Sequence, residues 1–274
     1  MPGWLAQFLA GSGIQIADGI WNASMKLVAG LLTKSPQSFS GPVWSFVDGT
    51  LYPWALSIGL SLLNLFLIIG WLRALTRLHE NITLEMTVNA LIKVVAANVL
   101  FLNIKTIITR LFSAATLMTG SIFTLQAPTL ITEDLDLGAV LFYNLFGILY
   151  ILAAIVCSFM ILITVYSRYI RLYLLVVSAP FALPSIIGGE EARRTFVSWV
   201  KTFILNTFEI VMIALVMVIS FKLISGGVSL YEQGNVAVEA ANGFFDALNG
   251  LFTMVLMTAS VKGVNSFMAK TFGL

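Results

Sequence analysis

The sequence predicts an all-α polytopic membrane protein. Of its 274 residues, 59% are hydrophobic and only 10% are charged, and its mean hydropathy is +0.96. A soluble domain does not carry so large an apolar fraction, whereas a chain that crosses a bilayer repeatedly needs about 20 apolar residues per helix. Long uncharged runs alternate with charged loops along the chain. They predict about five transmembrane helices, together with one proline-broken re-entrant hairpin and N-terminal amphipathic helices.

The charge balance and the few metal-binding residues argue against several classes of function. A formal net charge of +2, without a long basic run, gives no compositional argument for nucleic-acid binding. A single cysteine, Cys157, excludes an internal disulfide and a cysteine zinc site, and a single histidine, His79, argues against a histidine metal site. Phosphate-loop, dinucleotide-binding and hydrolase motifs are absent from the sequence. We therefore expect a non-enzymatic protein without a metal or cofactor.

Residues 1–47 are predicted to form amphipathic helices on the extracytoplasmic side of the membrane. Apolar residues recur there at helical spacing, up to a turn-rich break at 35–42. The apolar stripe consists of Leu5, Phe8, Leu9, Ile14, Ala17, Trp21, Met25, Val28 and Leu32. Such helices lie on a membrane or a neighbouring subunit, or they pack on the protein's own bundle, and the sequence leaves both alternatives open.

The remaining residues, 48–274, are predicted to form the transmembrane domain. Its spans are predicted at 51–72, 82–103, 138–167, 202–221 and 243–261. Residues 104–126 are interpreted as an amphipathic extension of the second span outside the membrane, although 111–132 is uncharged and long enough to span. Short cytoplasmic loops are enriched in Lys and Arg, so the basic residues place the N-terminus outside and the C-terminus in the cytoplasm.

The stretch 168–201 does not fit the pattern of a straight span. Its uncharged run at 172–189 contains Pro180 and Pro184 and has basic residues at both ends. Two prolines four residues apart break a helix, and irregular backbone at membrane depth has to be covered by protein or line a cavity. We therefore predict a re-entrant hairpin at 172–189, followed by an interfacial segment anchored by Trp199. A short span kinked at Pro180 is the alternative. The flanking residues, predicted to form a basic cytoplasmic collar, are Arg168, Arg171, Arg193, Arg194 and Lys201.

Three ionisable residues fall well inside predicted spans, namely Lys93, Glu209 and Asp246. A charge at membrane depth is costly unless it pairs or lines an aqueous cavity. A pair between Lys93 and one of the two acids would hold helices or subunits together. A wet conduit and an ion or proton site are the alternatives.

The residues around the two prolines resemble a known family. They form the pattern Arg168-x-x-Arg171, Ala179-Pro180, Pro184, Arg193-Arg194 and Trp199. This pattern, together with five spans, resembles the TrbL-type polytopic inner-membrane subunit of type IV secretion and conjugation systems. The short chain and its amphipathic N-terminus look closer to relatives from Gram-positive mobile elements.

The resemblance implies a homo-oligomeric subunit of a DNA-transfer or protein-secretion machine in the cytoplasmic membrane of a bacterium. It would surround or flank the path of single-stranded DNA with its relaxase, or of a protein substrate, with Ala179, Pro180 and Pro184 as candidates to line that path. The implied partners are the lipid bilayer, further copies of the chain, the ATPases and bitopic scaffold subunits of the system, and the transient cargo. An ion-coupled secondary transporter and a purely structural membrane scaffold are the alternatives.

Overall fold

The structure, a computed structural model, describes residues 11–76, 84–122, 137–187, 190–225 and 239–272. This part of the chain is 97% helical and contains no strand, so the all-α class is confirmed. The helices in chain order are α1 (Gly11–Leu32), α2 (Pro36–Phe39), α3 (Gly41–Phe46), α4 (Tyr52–Thr76), α5 (Leu84–Ile122), α6 (Leu137–Ala182), α7 (Glu190–Ser225) and α8 (Glu239–Thr271). A π-helical turn, Val47–Leu51, precedes α4, and a 3₁₀ turn, Leu183–Ile186, follows α6.

Five helical segments are long and apolar enough to cross a membrane, which agrees with the predicted number. They are Gly41–Gly70, Val94–Ile122, Phe146–Ile186, Ala192–Leu223 and Leu248–Thr271. Length and composition thus support a multi-pass membrane protein.

The second of these segments differs from the span predicted at 82–103. Helix α5 is uninterrupted from Leu84 to Ile122, and its apolar segment is Val94–Ile122. The part interpreted as an extension outside the membrane therefore belongs to the segment that can span. The physical reason is the uncharged run at 111–122, which keeps α5 apolar up to its C-terminal end although Lys105 and Arg110 lie within the segment.

The chain forms two compact units. Unit 1 comprises Met1–Thr33, Leu117–Ser167 and Glu209–Met268. Unit 2 comprises Lys34–Thr116, Arg168–Phe208 and Ala269–Leu274.

In unit 1, helix α1 packs on the protein itself. The side chains of Ile14, Ala17, Trp21, Met25, Val28 and Leu32 are all buried. Helix α1 approaches α6 closely, since a Cβ at Gly13 would lie 2.9 Å from the Cα of Gly147. Of the two alternatives for the apolar stripe, the part that the structure describes therefore favours packing on the protein's own bundle, while Leu5, Phe8 and Leu9 lie outside the described residues.

In unit 2, helix α4 lies against the C-terminal part of α6. A Cβ at Gly59 would overlap the carbonyl oxygen of Pro180 and would lie 2.9 Å from its carbonyl carbon. Farther along both elements, a Cβ at Gly70 would lie 3.6 Å from the carbonyl oxygen of Ile187. From Gly59 to Gly70 on α4, the contacted residue moves from Pro180 to Ile187. The end of α6 and the turn after it therefore run parallel to α4, with backbone against backbone at Gly59.

The predicted re-entrant hairpin at 172–189 does not form, because α6 is continuous through most of this stretch. This helix passes without interruption from Leu137 through Pro180 to Ala182, so the predicted span at 138–167 and most of the hairpin are one helix. Proline lacks an N–H donor and crowds the carbonyl four residues earlier, here that of Val176, but such a disturbance is tolerated where neighbouring elements cover the backbone, and α6 continues two residues beyond Pro180. Pro184 lies at the start of the 3₁₀ turn. Both prolines are buried, as the requirement for covered backbone predicts.

The third apolar segment is longer than one crossing of a bilayer needs, so part of it should be covered by protein. Phe146–Ile186 contains 41 residues, which at about 1.5 Å per residue corresponds to about 61 Å. That length is roughly twice a hydrocarbon core of about 30 Å. In its last turns Leu172, Val176 and Ala179 are buried within unit 2. Protein contacts therefore cover one face of these turns, whereas Ile170 and Leu174 on the other face are exposed.

We expect Gly59→Ala to destabilise the protein by about 1–3 kcal/mol, because the added methyl group meets backbone atoms of Pro180 that cannot move independently. Gly19→Ala is the matched control, since a Cβ at Gly19 meets nothing within 4 Å and alanine is the better helix former by up to about 1 kcal/mol. Thermal unfolding of both variants in detergent measures the difference. Equal midpoints would contradict the close contact between α4 and α6.

Candidate functional site in unit 2

The centre of the candidate site is Arg168, a fully buried guanidinium. Its side chain is 1% exposed, although it lies within the apolar segment of α6. Its Nε donates a hydrogen bond to the carbonyl oxygen of Asn206 at 3.3 Å, and its Nη2 donates to that of Thr207 at 3.4 Å. The guanidinium carbon lies 5.2 Å from the centroid of the Tyr169 ring. Because a guanidinium stays charged in proteins, carbonyl dipoles and a ring face stabilise its charge in place.

Arg168 is buried and therefore does not belong to the basic collar that the sequence predicts. Arg193, Arg194 and Lys201 are exposed on α7, and Arg171 is half-buried, but Arg168 is enclosed. The reason is helical periodicity. Arg168 follows Val165 by three residues and precedes Leu172 by four, both of which are fully buried, so the inward face of α6 passes through the arginine.

Two tyrosines next to Arg168 hold the segment 34–39 against α6. Tyr169 donates its hydroxyl to the carbonyl oxygen of Lys34 at 2.9 Å, and Tyr173 donates to that of Pro36 at 2.8 Å. The Phe39 ring stacks on Tyr169, with centroids 3.9 Å apart and planes 8° from parallel. We call this arrangement the tyrosine clamp. It fixes the start of α2 to the turn of α6 that carries the buried charge.

Trp199 is half-buried and bonds within the protein. Its indole N–H donates to the Ser178 hydroxyl on α6 at 3.1 Å, and its ring stacks on Phe203 at a centroid distance of 5.3 Å. Its predicted role as an interfacial anchor stays a prediction. The predicted anchor therefore joins the start of α7 to the end of α6.

The candidates for lining a transfer path are packed inside unit 2. Ala179 has no exposed surface, and Pro180 and Pro184 are also buried. In a single copy of unit 2 they contact protein, so they line no open passage there. Pro180 packs against Gly59, where the missing side chain of the glycine permits the close approach.

The predicted intramembrane charges are only partly described. Glu209 on α7 is 1% exposed, within unit 1. The side chains of Lys93 on α5 and Asp246 on α8 lie outside the described part of the chain. The predicted pairing of Lys93 with an acid stays a prediction.

An ion pair that the sequence analysis missed joins α5 to the π-helical turn. Lys105 Nζ lies 2.5 Å from Asp48 Oδ1, and Nζ lies 5.7 Å from the centroid of the Tyr52 ring. Asp48 and Lys105 both fall inside apolar segments. A charge in such a segment needs a partner, which is the signal that the sequence offers. Their proximity depends on how α4 and α5 pack, and no spacing in the sequence reports that.

The site offers fixed charge and hydrogen-bonding groups. Beside Arg168, the buried Oδ1 of Asn206 and Oγ1 of Thr207 have no hydrogen-bond partner among the described residues, so a water molecule could join the cluster. Within the same residues no group of three His, Cys, Asp or Glu side chains could hold a metal ion. Comparison of the chain with known family models, curated proteins and solved structures finds no match in any of the three.

We expect Arg168→Lys to destabilise the protein by about 2 kcal/mol. A lysine keeps the charge but loses the planar fork that reaches two carbonyl oxygens, and its ammonium is more strongly hydrated and harder to bury. Arg193→Lys, on the exposed part of α7, should change stability by less than about 0.5 kcal/mol. Thermal unfolding in detergent compares the two, and an unchanged Arg168→Lys protein would show that the fork is dispensable.

We expect Tyr169→Phe and Tyr173→Phe to loosen the segment 34–39, because each leaves a backbone carbonyl without its hydroxyl donor at a cost of about 1–2 kcal/mol. Hydrogen exchange at the amides of Ser38 and Phe39, which bond to Ser35, should then become about tenfold faster per 1.4 kcal/mol lost. Tyr166→Phe, at an exposed tyrosine of α6, is the control. Unchanged exchange in both clamp variants would mean that the stacked Phe39 alone holds the segment.

Proposed function

We propose that the chain is a membrane-embedded, non-enzymatic subunit of a type IV secretion or conjugation machine in the cytoplasmic membrane of a bacterium. The proposal rests on the TrbL-type pattern between Arg168 and Lys201, together with five apolar helical segments. The observation that supports it most directly is that residues of this pattern form one connected structure. Trp199 bonds to Ser178 beside the Ala-Pro step, and the prolines are buried while the later basic residues are exposed.

The exposed basic residues at the start of α7 supply a docking surface in this proposal. Arg194 and Lys201 are seven residues apart and therefore lie on one helix face, with the exposed Val197 between them, and Arg193 lies beside this face. We call Arg193, Arg194 and Lys201 the basic face. Exposed guanidinium and ammonium groups bind acidic protein surfaces and phosphates by charge-assisted hydrogen bonds. Partners of this chemistry are the ATPases and scaffold subunits of the machine and the transferred DNA.

The topology that goes with this function places the basic face in the cytoplasm. Basic residues are retained on the cytoplasmic side of bacterial membranes, so the N-terminus would lie outside and the C-terminus inside. The cytoplasmic ATPases would then have direct access to the start of α7.

The burial of Ala179, Pro180 and Pro184 favours a second candidate, a structural scaffold of the same machine without a conduit of its own. Residues that pack inside one subunit cannot line a path through that subunit. If a path exists, homo-oligomerisation would have to form it between copies. The ion-coupled transporter has no comparable observation in its favour.

A mating assay tests the function directly. Deletion of the gene in a donor cell that carries the transfer system should abolish DNA transfer, and the intact chain supplied separately should restore it. If the deletion strain transfers DNA at the original frequency, the proposed function is refuted. A photo-crosslinking residue at position 198, an exposed serine on α7, identifies what the basic face contacts. Crosslinks to DNA or relaxase show direct contact with the cargo, whereas crosslinks to protein subunits alone support the scaffold.

We expect the triple change Arg193→Gln, Arg194→Gln, Lys201→Gln to lower transfer strongly while the protein still accumulates in the membrane. The exposed side chains contribute little to stability, so the loss would arise from lost partner contacts. Lys262→Gln, which removes another exposed basic residue on α8, is the control and should transfer normally. Transfer by the triple variant at the control's frequency would remove the docking role of the basic face.

A further inference from the structure

A groove opens between α4 and α5 in unit 2. Its volume is about 140 Å³. The groove is lined by Tyr52, Leu56, Leu60, Phe101, Leu102 and Lys105. Its walls are almost wholly apolar, with one cation at the edge.

The exposed side chains around the groove indicate that it faces lipid. Leu102 on its rim is 82% exposed, and Trp54 and Leu60 are exposed on α4. Both helices belong to segments that are long and apolar enough to cross a bilayer. Large exposed apolar side chains on such segments face acyl chains, so a hydrocarbon chain is the expected occupant.

The ion pair of Lys105 and Asp48 adds polar chemistry at one end of the groove. The two side chains are partly exposed, at 42% and 33%, so both are accessible to a further ligand. An ammonium carries three donors, and a carboxylate accepts through two oxygens, so a single ion pair uses only part of their capacity. A ligand that brings one anion and one cation can extend the pair into an alternating cluster of four charges.

The order of these groups matches the order of groups in a phospholipid. Lys105 lines the groove together with Tyr52, whereas Asp48 lies one helical turn before Tyr52 and is not part of the groove wall. In a phospholipid with an amine headgroup, the acyl chains connect through glycerol to the phosphate, and the ammonium lies beyond the phosphate. We propose that this groove binds phosphatidylethanolamine, with an acyl chain along Leu56 and Leu60, the phosphate on Lys105 and the ammonium on Asp48.

Other headgroups fit less well. Phosphatidylglycerol brings no cation for Asp48 and places its negative charge near the carboxylate. Phosphatidylcholine has the correct charges, but its quaternary ammonium has no N–H to donate to Asp48. We therefore expect the chain to bind phosphatidylethanolamine about tenfold more tightly than phosphatidylcholine, the ratio for one charge-assisted hydrogen bond.

The experiment uses the full chain, purified in detergent and mixed with each of the three lipids. Native mass spectrometry reports the lipid that stays bound, and thermal unfolding reports the stabilisation that each lipid gives. The decisive variant is the exchange Asp48→Lys, Lys105→Asp. It preserves an ion pair between the same two positions but reverses the order of the charges relative to the groove. Leu56→Trp, which fills the groove, tests the acyl site separately, and Lys26→Gln, at an exposed lysine of α1, is the control.

The intact chain and the Lys26→Gln control should retain phosphatidylethanolamine preferentially and unfold at a higher temperature with it than with the other two lipids. The exchanged pair and Leu56→Trp should lose this preference while they still fold, as shown by their unfolding transitions. Equal retention of the three lipids by the intact chain would overturn the proposal, and so would a preference for phosphatidylglycerol. Undiminished preference in the exchanged variant would also overturn it. This site is independent of the proposed secretion function, since the assay needs no other subunit.

Discussion

The buried charge of Arg168 constrains unit 2 more than any other single group. A guanidinium in an apolar bundle is costly unless dipoles surround it, and the carbonyl oxygens of Asn206 and Thr207 supply them from 38 and 39 residues farther along the chain. These hydrogen bonds fix α7 against α6. The next residue, Tyr169, begins the clamp on the segment 34–39. One turn of α6 therefore positions two other elements, and the arginine cannot move without disturbing both.

Close backbone contact provides the second source of stability. Helices in lipid gain little from hydrophobic burial, because the lipid is itself apolar, so tight packing and hydrogen bonds between helices carry more of the stabilisation. Among the described glycines, the tightest such contacts are Gly13 with Gly147 in unit 1 and Gly59 with Pro180 in unit 2. At Gly59 the contact also covers backbone near the proline. The glycine and the proline thus form one packing feature on two helices.

The sequence was sufficient for features that depend on composition and period. The all-α class, the number of apolar segments and the buried face of α1 followed from hydropathy and from helical spacing. The rule that proline breaks helices failed at Pro180, because the residue is buried against Gly59 and packed neighbours cover the disturbed backbone. Arg168 was interpreted as a marker of topology, although Val165 and Leu172 placed it on the buried face. The pair of Asp48 and Lys105 depends on the packing of separate helices, which no single-chain pattern encodes.

The basic residues of unit 2 occur in three environments, and the environment determines what each can do. Arg168 is enclosed, and carbonyl dipoles stabilise its charge, so its role is structural. Lys105 is partly exposed at the edge of an apolar groove and is paired with Asp48, so only a ligand with both charges and a hydrocarbon part complements it. Arg193 and Lys201 are exposed, so an acidic surface can reach them without disturbing the fold. The degree of burial therefore separates the structural cation from those that we propose bind lipid and partner subunits, a distinction that net charge alone does not make.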